Sequence, residues 1–316
     1  MTTFVTGGLG FIGSNFVISH LRQYPSDEIV VLDNFSYAAN IDNLKDVISD
    51  WRLTIKNVDI CDLDKLEEMY ATFTPDITFH FAAESHVDNS ILGDDAFVQT
   101  NIIGTHNILK CIKKYGGKLL HVSTDEVFGS LHWNSKPFSE ETPYDPRNPY
   151  SATKAASDHL VRAYVNTHNI EAVVTNCSNN YGPRQHPEKM IPTIIRNIKQ
   201  GTRIPVYGTG KNIRDWLYVE DHCDALLTIA RNFKSGERYN IGGGKEMSNL
   251  SLVHDILMLM GKGSGHWLRE WVEFVPDRKG HDYRYAINYD KLRNELGWTP
   301  SNIIMQGLIK TVEWYK

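Results

Sequence analysis

Through the first 180 residues, short apolar runs alternate with longer stretches whose apolar positions recur at helical spacing. The runs at 3–6, 28–33, 53–59, 77–83, 118–123 and 172–177 predict strands. The stretches 11–23, 62–73, 94–115, 150–168 and 191–200 predict helices between and after them. A strand–helix–strand rhythm is the signature of a parallel sheet in an α/β fold. The strand runs are apolar almost throughout instead of alternating, so helices are expected on both faces, as in a doubly wound sheet. After about residue 180 the rhythm breaks: strands are predicted at 205–208, 213–219 and 238–243, with helices at 220–232 and 249–260. This divides the chain into a sheet domain at 1–180 and a smaller α/β cap drawn mainly from 181–316, with chain crossings between the two. No Pro/Gly/Ser linker separates them, so a shared cleft is expected. Open α/β sheets bind ligands outside the carboxyl ends of their strands, where a cap closes the site.

Composition narrows the classes. Among 316 residues, 41% are hydrophobic and 22% charged, the balance of a globular protein and not of a disordered one. The net charge of −5 and the lack of any Lys/Arg run argue against a nucleic-acid partner. No stretch approaches the roughly 18–20 apolar residues of a membrane span, and the chain starts directly as a strand, which predicts a cytoplasmic protein. Cys61, Cys111, Cys177 and Cys223 include no C-x-x-C pair, which argues against a disulfide framework or a metal site.

Directly after the first strand comes Thr6-Gly7-Gly8-Leu9-Gly10-Phe11-Ile12-Gly13, opening a helix. Glycines at 7, 10 and 13 permit a tight turn and close approach of backbone to a pyrophosphate, while the helix N-terminus offers free N–H groups. Three glycines alone are weak evidence. Here Asp33 also ends the second strand twenty residues beyond Gly13, where an acid binds adenosine ribose hydroxyls. Asp33 would repel a 2′-phosphate and neither Asn34 nor Phe35 compensates, so a Rossmann-like NAD site is favoured over an NADP site. Asp59, at the end of the third strand, reads equally as a contact to the adenine edge or as a helix cap or loop acid.

Tyr150-Ser151-Ala152-Thr153-Lys154 places Tyr and Lys on one helix face. A lysine ammonium and a nicotinamide cation would lower the phenol pKa from about 10 towards working pH, making Tyr150 a base for an alcohol proton. A solvated helix pair is the bland alternative. The glycine fingerprint before it and Cys177-Ser178-Asn179-Asn180-Tyr181-Gly182-Pro183 after it favour chemistry.

With these motifs together, the chain resembles the extended short-chain dehydrogenase/reductases over nearly its whole length. The runs Ala82-Ala83-Glu84-Ser85-His86-Val87-Asp88, Ser123-Thr124-Asp125-Glu126-Val127-Phe128-Gly129 and Arg214-Asp215-Trp216-Leu217-Tyr218-Val219-Glu220-Asp221-His222 resemble the nucleoside-diphosphate-glucose 4,6-dehydratases within that group. The resemblance implies bound NAD and a homodimer. It adds Phe11, Ile12, Asn34, Ile60, Ala82 and Ala83 to the cofactor contacts. It also implies that Thr124 bonds the sugar, Asp125 acts as acid, Glu126 as base, and Tyr150 with Lys154 runs the redox half. Related 4-epimerases carry small or hydroxylic residues at the Asp-Glu pair. Uronate decarboxylases tend to keep the Glu with Ser in place of the Asp, so Asp125 points to dehydration of dTDP-glucose or UDP-glucose.

A diphosphate needs cations, and Lys189, Arg214 and Arg278 are the candidates in the cap. By resemblance, Ser85, Asn179, Pro205, Tyr207, Asn249, His281 and Tyr285 join them at the nucleotide-sugar. Tyr207 reads either as a pyrimidine stacking partner or as a packed aromatic. Asn89 stands where the family commonly has Arg, Phe128 where Tyr is commoner, and the stretch 129–150 is short. A 4-epimerase or decarboxylase on the same fold, or a non-catalytic NAD-binding regulator, are the rival readings. Which pyrimidine is bound, and whether the product feeds rhamnose or another deoxysugar, stays open.

Overall fold

The computed structural model describes residues 1–316 except 264, 278, 279 and 302. Its strands, in chain order, are β1 (Thr2–Thr6), β2 (Glu28–Asp33), β3 (Leu53–Asn57), β4 (Ile77–His80), β5 (Lys118–Thr124), β6 (Glu171–Cys177), β7 (Asn179–Tyr181), β8 (Ile204–Tyr207), β9 (Ile213–Tyr218), β10 (Arg238–Ile241), β11 (Glu246–Ser248) and β12 (Val272–Val275). Seven of them form one parallel sheet in the order β10-β6-β5-β4-β1-β2-β3. The order reverses beside β1, which opens a crevice at the carboxyl ends of β1 and β4. The runs predicted to reach 59 and 83 leave the sheet earlier. Asn57 pairs with Asp33 and His80 with Thr6, the last residues of their partner strands, so the ladder ends there.

The helices are α1 (Phe11–Gln23), α2 (Leu63–Phe73), α3 (Val87–Leu92), α4 (Asp95–Phe97), α5 (Thr105–Tyr115), α6 (Pro149–His168), α7 (Met190–Gln200), α8 (Val219–Arg231), α9 (Asn249–Leu259), α10 (Trp267–Trp271), α11 (Asp290–Leu296) and α12 (Ile304–Tyr315). Successive strand residues point to opposite faces, and both faces are covered. Phe4, Val30 and Leu32 pack against Leu66 and Tyr70 of α2, Ile108 of α5 and Val161 of α6. Val5, Val31 and Phe79 pack on the other side against Phe16 and Val17 of α1 and Leu226 and Leu227 of α8. That two-sided burial is why the strand runs read as continuously apolar.

Two sequence expectations change. The run at 238–243, grouped with the cap, is β10 and pairs in parallel with β6 at the edge of the main sheet. Tyr239 and Ile241 are fully buried there, and α8 returns the chain to the sheet alongside α1. The single helix expected over 94–115 is instead α4, a π-helical turn at Val98–Gly104, and α5. At Gly104 a Cβ would stand 2.5 Å from Ile60 Cδ1, so the helix passes β3's loop only without a side chain.

In the cap, β11-β9-β7 and β12-β8 form small sheets. Ile191, Ile194 and Ile195 of α7 pack with Trp216, Leu252, Leu257 and Leu308 into a separate core. Among the described residues no helix is long and apolar enough to cross a membrane.

Candidate active site

A groove runs across the carboxyl ends of β1 to β5 and is lined by Gly7, Gly10, Phe11, Ile12 and Gly13 at one place and by Thr124, Tyr150 and Lys154 at another. Gly7 has φ +69°, and a Cβ on it would meet Ala82 N at 2.7 Å; one on Gly13 would meet Gly7 O at 2.3 Å. The first N–H groups of a helix have no partner within it. Gly10, the N-cap of α1, supplies no side chain to take them, which leaves them for an anionic group. Asp33 is fastened at the groove by Leu9 N and Phe35 N, each donating to it over 3.0 Å, and burial pushes its carboxyl above the usual range. Beside it the lining is Asn34, Ser36, Ala38 and Ala39, with no cation.

Asp59, Ile60, Ala82 and Ala83 line the same groove. Asn34 Nδ2 donates to Asp59 Oδ2 at 3.2 Å and Cys61 N to Asp59 Oδ1 at 2.8 Å. The N-cap of α2 is Asp62, so of the two structural alternatives for Asp59 the helix cap is not realised. These glycines, the uncapped helix end and the buried acid fit a dinucleotide.

The reacting end is built on β5 and α6. Thr124 closes β5 and caps a short 3₁₀ turn at 125–128, its Oγ1 accepting from Glu126 N at 3.3 Å. Asn148 caps α6 in a capping box with Ser151, and Pro149 occupies the first turn, an arrangement worth about 1 kcal/mol. Tyr150 and Lys154 follow on the buried face. Lys154 Nζ donates to Val122 O at 2.9 Å. Burial and the Glu126 charge hold the Tyr150 phenol well above its ordinary value. The lowered phenol expected from the sequence relied on the nicotinamide cation as well as the lysine; within the protein alone, desolvation and then the Glu126 charge set the direction.

Asp125 is 1% exposed, and its Oδ2 has no hydrogen-bond partner among the described residues. Burial, then the charges of Glu126 and Asp215, push its carboxyl well above the usual range. Glu126 is raised by burial but is opposed by Arg214 and by Asn148, whose Nδ2 lies 3.5 Å from Oε2. Burial raises both carboxyls; the charges of Glu126 and Asp215 add to the rise at Asp125, while Arg214 and Asn148 oppose it at Glu126, an inequality that suits an acid and a base at one site.

A second cavity, continuous with the groove through Glu126 and Asn179, is lined also by Asn148, Arg214, His281, Asp282 and Tyr285. Arg214 donates to Asp282 O at 3.0 Å and stacks on the Tyr285 ring at 4.3 Å. Ser85 and Lys189 line the main groove, with Lys189 Nζ on Ser85 O at 3.0 Å. Pro205, Tyr207 and Asn249 line neither cavity. Tyr207 contacts the His281 ring edge-on at 6.3 Å and donates to Asp88, while Asn249 N bonds Asn212 O. Arg278 lies outside the described residues. Sequence reasoning missed Asn148, although an Asn-Pro pair opening a helix is a readable cap signal. It also missed Asn101, in the π turn, which bonds Glu84 on both backbone atoms and Thr153. Nothing in the periodicity marks that turn.

Comparison with known proteins agrees with this geometry. The family model described as GDP-mannose 4,6 dehydratase matches residues 4–311. A dTDP-glucose 4,6-dehydratase of Neisseria gonorrhoeae is 45% identical, covering 98% of this chain and 94% of its own. The crystal structure of the dTDP-glucose 4,6-dehydratase DesIV from Streptomyces venezuelae, with NAD bound, superposes with a TM-score of 0.95 at 43% identity, covering 100% of this chain and 97% of that one. A UDP-glucose 4-epimerase from Thermotoga maritima reaches 0.91 at 28% identity, covering 100% and 98%.

Proposed function

We propose, from the premise that the chain belongs to the GDP-mannose 4,6-dehydratase family of extended short-chain dehydrogenase/reductases, that it is an NAD-dependent hydro-lyase acting on dTDP-glucose. The product is the 4-keto-6-deoxy-glucose nucleotide plus water. The observation that carries this reading is the buried Asp125–Glu126 pair beside Tyr150, because epimerisation needs only the redox pair, whereas loss of water needs an additional acid and base. NAD would be held along the glycine turn and by Asp33, and would supply the reversible hydride acceptance that oxidation at C4 and reduction at C6 require.

The chain's own groups do the rest. Thr124 bonds the sugar; Tyr150 takes the C4 hydroxyl proton, with the Lys154 ammonium nearby favouring the phenolate. The resulting ketone acidifies C5, and Glu126 removes that proton while Asp125, kept protonated by its burial, gives its proton to the departing C6 hydroxyl; as hydride is added at C6, Glu126 returns a proton to C5. Arg214 and Lys189 balance the diphosphate charge, with Ser85, Asn179, His281 and Tyr285 around the sugar and Pro205, Tyr207 and Asn249 towards the base. The enzyme is proposed to be a cytoplasmic homodimer joined through the 94–115 and α6 helices, a reading supported by the exposed apolar residues Leu92, Val98 and Ile103 on that side.

Side-by-side incubation with dTDP-glucose and UDP-glucose, without added reductant, tests the reading by mass spectrometry. Loss of one water from dTDP-glucose supports it; a C4 epimer of unchanged mass replaces it with the epimerase reading.

A further inference from the structure

The cap reaches back onto the wall of the cofactor groove through an arginine that lines neither cavity. Arg184 follows Gly182-Pro183 just past β7, and its side chain is only 10% exposed. Its φ is +70°, a left-handed conformation for which glycine is the default. Nε donates to Asn43 O at 2.9 Å, Nη1 to Asn15 Oδ1 at 3.2 Å and Nη2 to Asp46 Oδ2 at 3.2 Å. On the cap side the guanidinium lies 4.5 Å from the ring centre of Trp314 on α12, the helix whose Leu308 and Val312 belong to the cap core. Asn15, on α1, also donates from Nδ2 to Pro183 O at 3.0 Å, so the sheet domain holds both backbone and side chain of this corner.

One of these bonds leads into the dinucleotide site. Asn43 lies in a 3₁₀ turn at Ile41–Leu44, and its Nδ2 donates at 3.0 Å to the carbonyl of Leu9, in the glycine turn. Asn40 N donates to the same oxygen at 3.1 Å, and Leu9 N donates to Asp33 Oδ2 at 3.0 Å. A continuous run of hydrogen bonds therefore joins the Arg184 guanidinium through Asn43 and Leu9 to the Asp33 carboxylate. The segment it braces supplies Asn34, Ser36, Ala38 and Ala39 to the groove wall. Two residues beyond Arg184, His186 meets the Tyr37 ring edge-on at 5.7 Å, a second contact between the same two segments.

A loop with few buried contacts of its own opens at low free energy, and a charge-assisted hydrogen bond from a packed core raises that cost. A molecule enclosed by such a loop leaves only as often as the loop opens. We propose that Arg184 is a positioning residue of the cofactor site, a clamp by which the cap holds the 34–44 segment and the Leu9 turn closed on NAD. The inference rests on the NAD-dependent reading above.

The test compares wild-type, Arg184→Met and Asp46→Asn holoenzymes. Methionine keeps an unbranched stem against Trp314 but donates no hydrogen bond. Losing a bond of charge-assisted strength should quicken NAD release about tenfold or more, followed by exchange against isotope-labelled NAD. Asp46→Asn weakens only the exposed end of the same fork and should release NAD within about threefold of wild type. With NAD saturating, single-turnover C4 oxidation in Arg184→Met should stay within about threefold of wild type, a split between cofactor affinity and catalysis. A merely structural role would lower the melting temperature without moving NAD release. Asn43→Ala cuts the same run at its middle, so adding it to Arg184→Met should quicken release little beyond the faster single variant; effects that multiply would overturn the clamp. Hydrogen exchange on the wild-type holoenzyme needs no variant to fold. The amides of Asn40, Asn43, Lys45 and Val47, each bonded to a backbone carbonyl, should be protected, and free exchange there refutes the role. NAD release from Arg184→Met at the wild-type rate refutes it as well. Wild-type protein that holds no NAD overturns the NAD reading itself, and this role with it.

Discussion

Replacing Glu126 with Gln separates the second chemical step from the first. The amide keeps the side chain's shape and can still take the Asn148 hydrogen bond through its oxygen, but it cannot accept a proton. Losing a general base costs about 10²–10⁴-fold, or about 2.7–5.4 kcal/mol of barrier at 1.36 kcal/mol per factor of ten. The geometry also gives a sign to a second effect. After burial, the Glu126 charge is the largest influence raising both Asp125 and Tyr150, so removing it lowers both. Tyr150 becomes a readier base, and C4 oxidation is not slowed. In deuterated water the variant should therefore accumulate reduced cofactor while C5 keeps its protium. Rapid-quench mass spectrometry of the sugar, alongside absorbance of the cofactor, follows both. Deuterium entering C5 at the wild-type rate would move the base to another residue, and oxidation slowed in step with elimination would refute the electrostatic account.

Asp125→Asn should exchange C5 with solvent faster than it loses water, with elimination about 10²–10⁴-fold slower; normal dehydration would remove its role as acid. The same variant carries a pH signature in stability. Asp125 has a raised pKa in the folded protein, so its contribution is full below the unfolded carboxyl value and is lost as pH rises through the folded one. The melting temperature of Asp125→Asn, relative to wild type, should rise between pH 5 and pH 8, and a constant difference would contradict the burial argument. Tyr150→Phe should reduce turnover at least about 10²-fold while dTDP-glucose binding survives calorimetry, and wild-type turnover would sink the redox role. Because Asp33 favours NAD and the cycle returns its hydride, purified enzyme should turn over many substrates without added reductant; a stoichiometric need for NADPH counts against this. Light scattering at micromolar concentration should give a dimer mass, and a monomer would reject the proposed interface.

The sheet was legible because its strands are buried on both faces, and 3–6 and 28–33 could be bounded to within a residue. Local signals carried the cofactor groove as well. Gly7, Gly10, Gly13 and Asp33 sit at spacings that only a turn between strand and helix requires. What stayed hidden depends on contacts between distant segments. β10 is a four-residue run whose membership of the main sheet is decided by its pairing with β6, some sixty residues earlier. The π turn at Val98–Gly104 leaves no mark in the apolar periodicity, and its last residue, Gly104, passes Ile60 too closely for a side chain.

The same dependence on distant segments supports giving two adjacent carboxyls opposite duties. As neighbours in sequence, Asp125 and Glu126 are chemically near-equivalent, and nothing local ranks them. Asp125 is buried just past the end of β5, where Asp215 from β9 adds a like charge and Oδ2 finds no donor among the described residues, so ionising it is costly. Glu126 borders both cavities, and there Asn148 from the cap of α6 and Arg214 from β9 offset part of its burial. One segment of β9, Arg214–Asp215, therefore acts on the pair unevenly: its arginine favours the ionised form of both acids, and its aspartate favours the protonated Asp125. An elimination that removes a proton on one side and donates one on the other needs that asymmetry before substrate arrives, because two equally acidic carboxyls would be in the required charge state only part of the time.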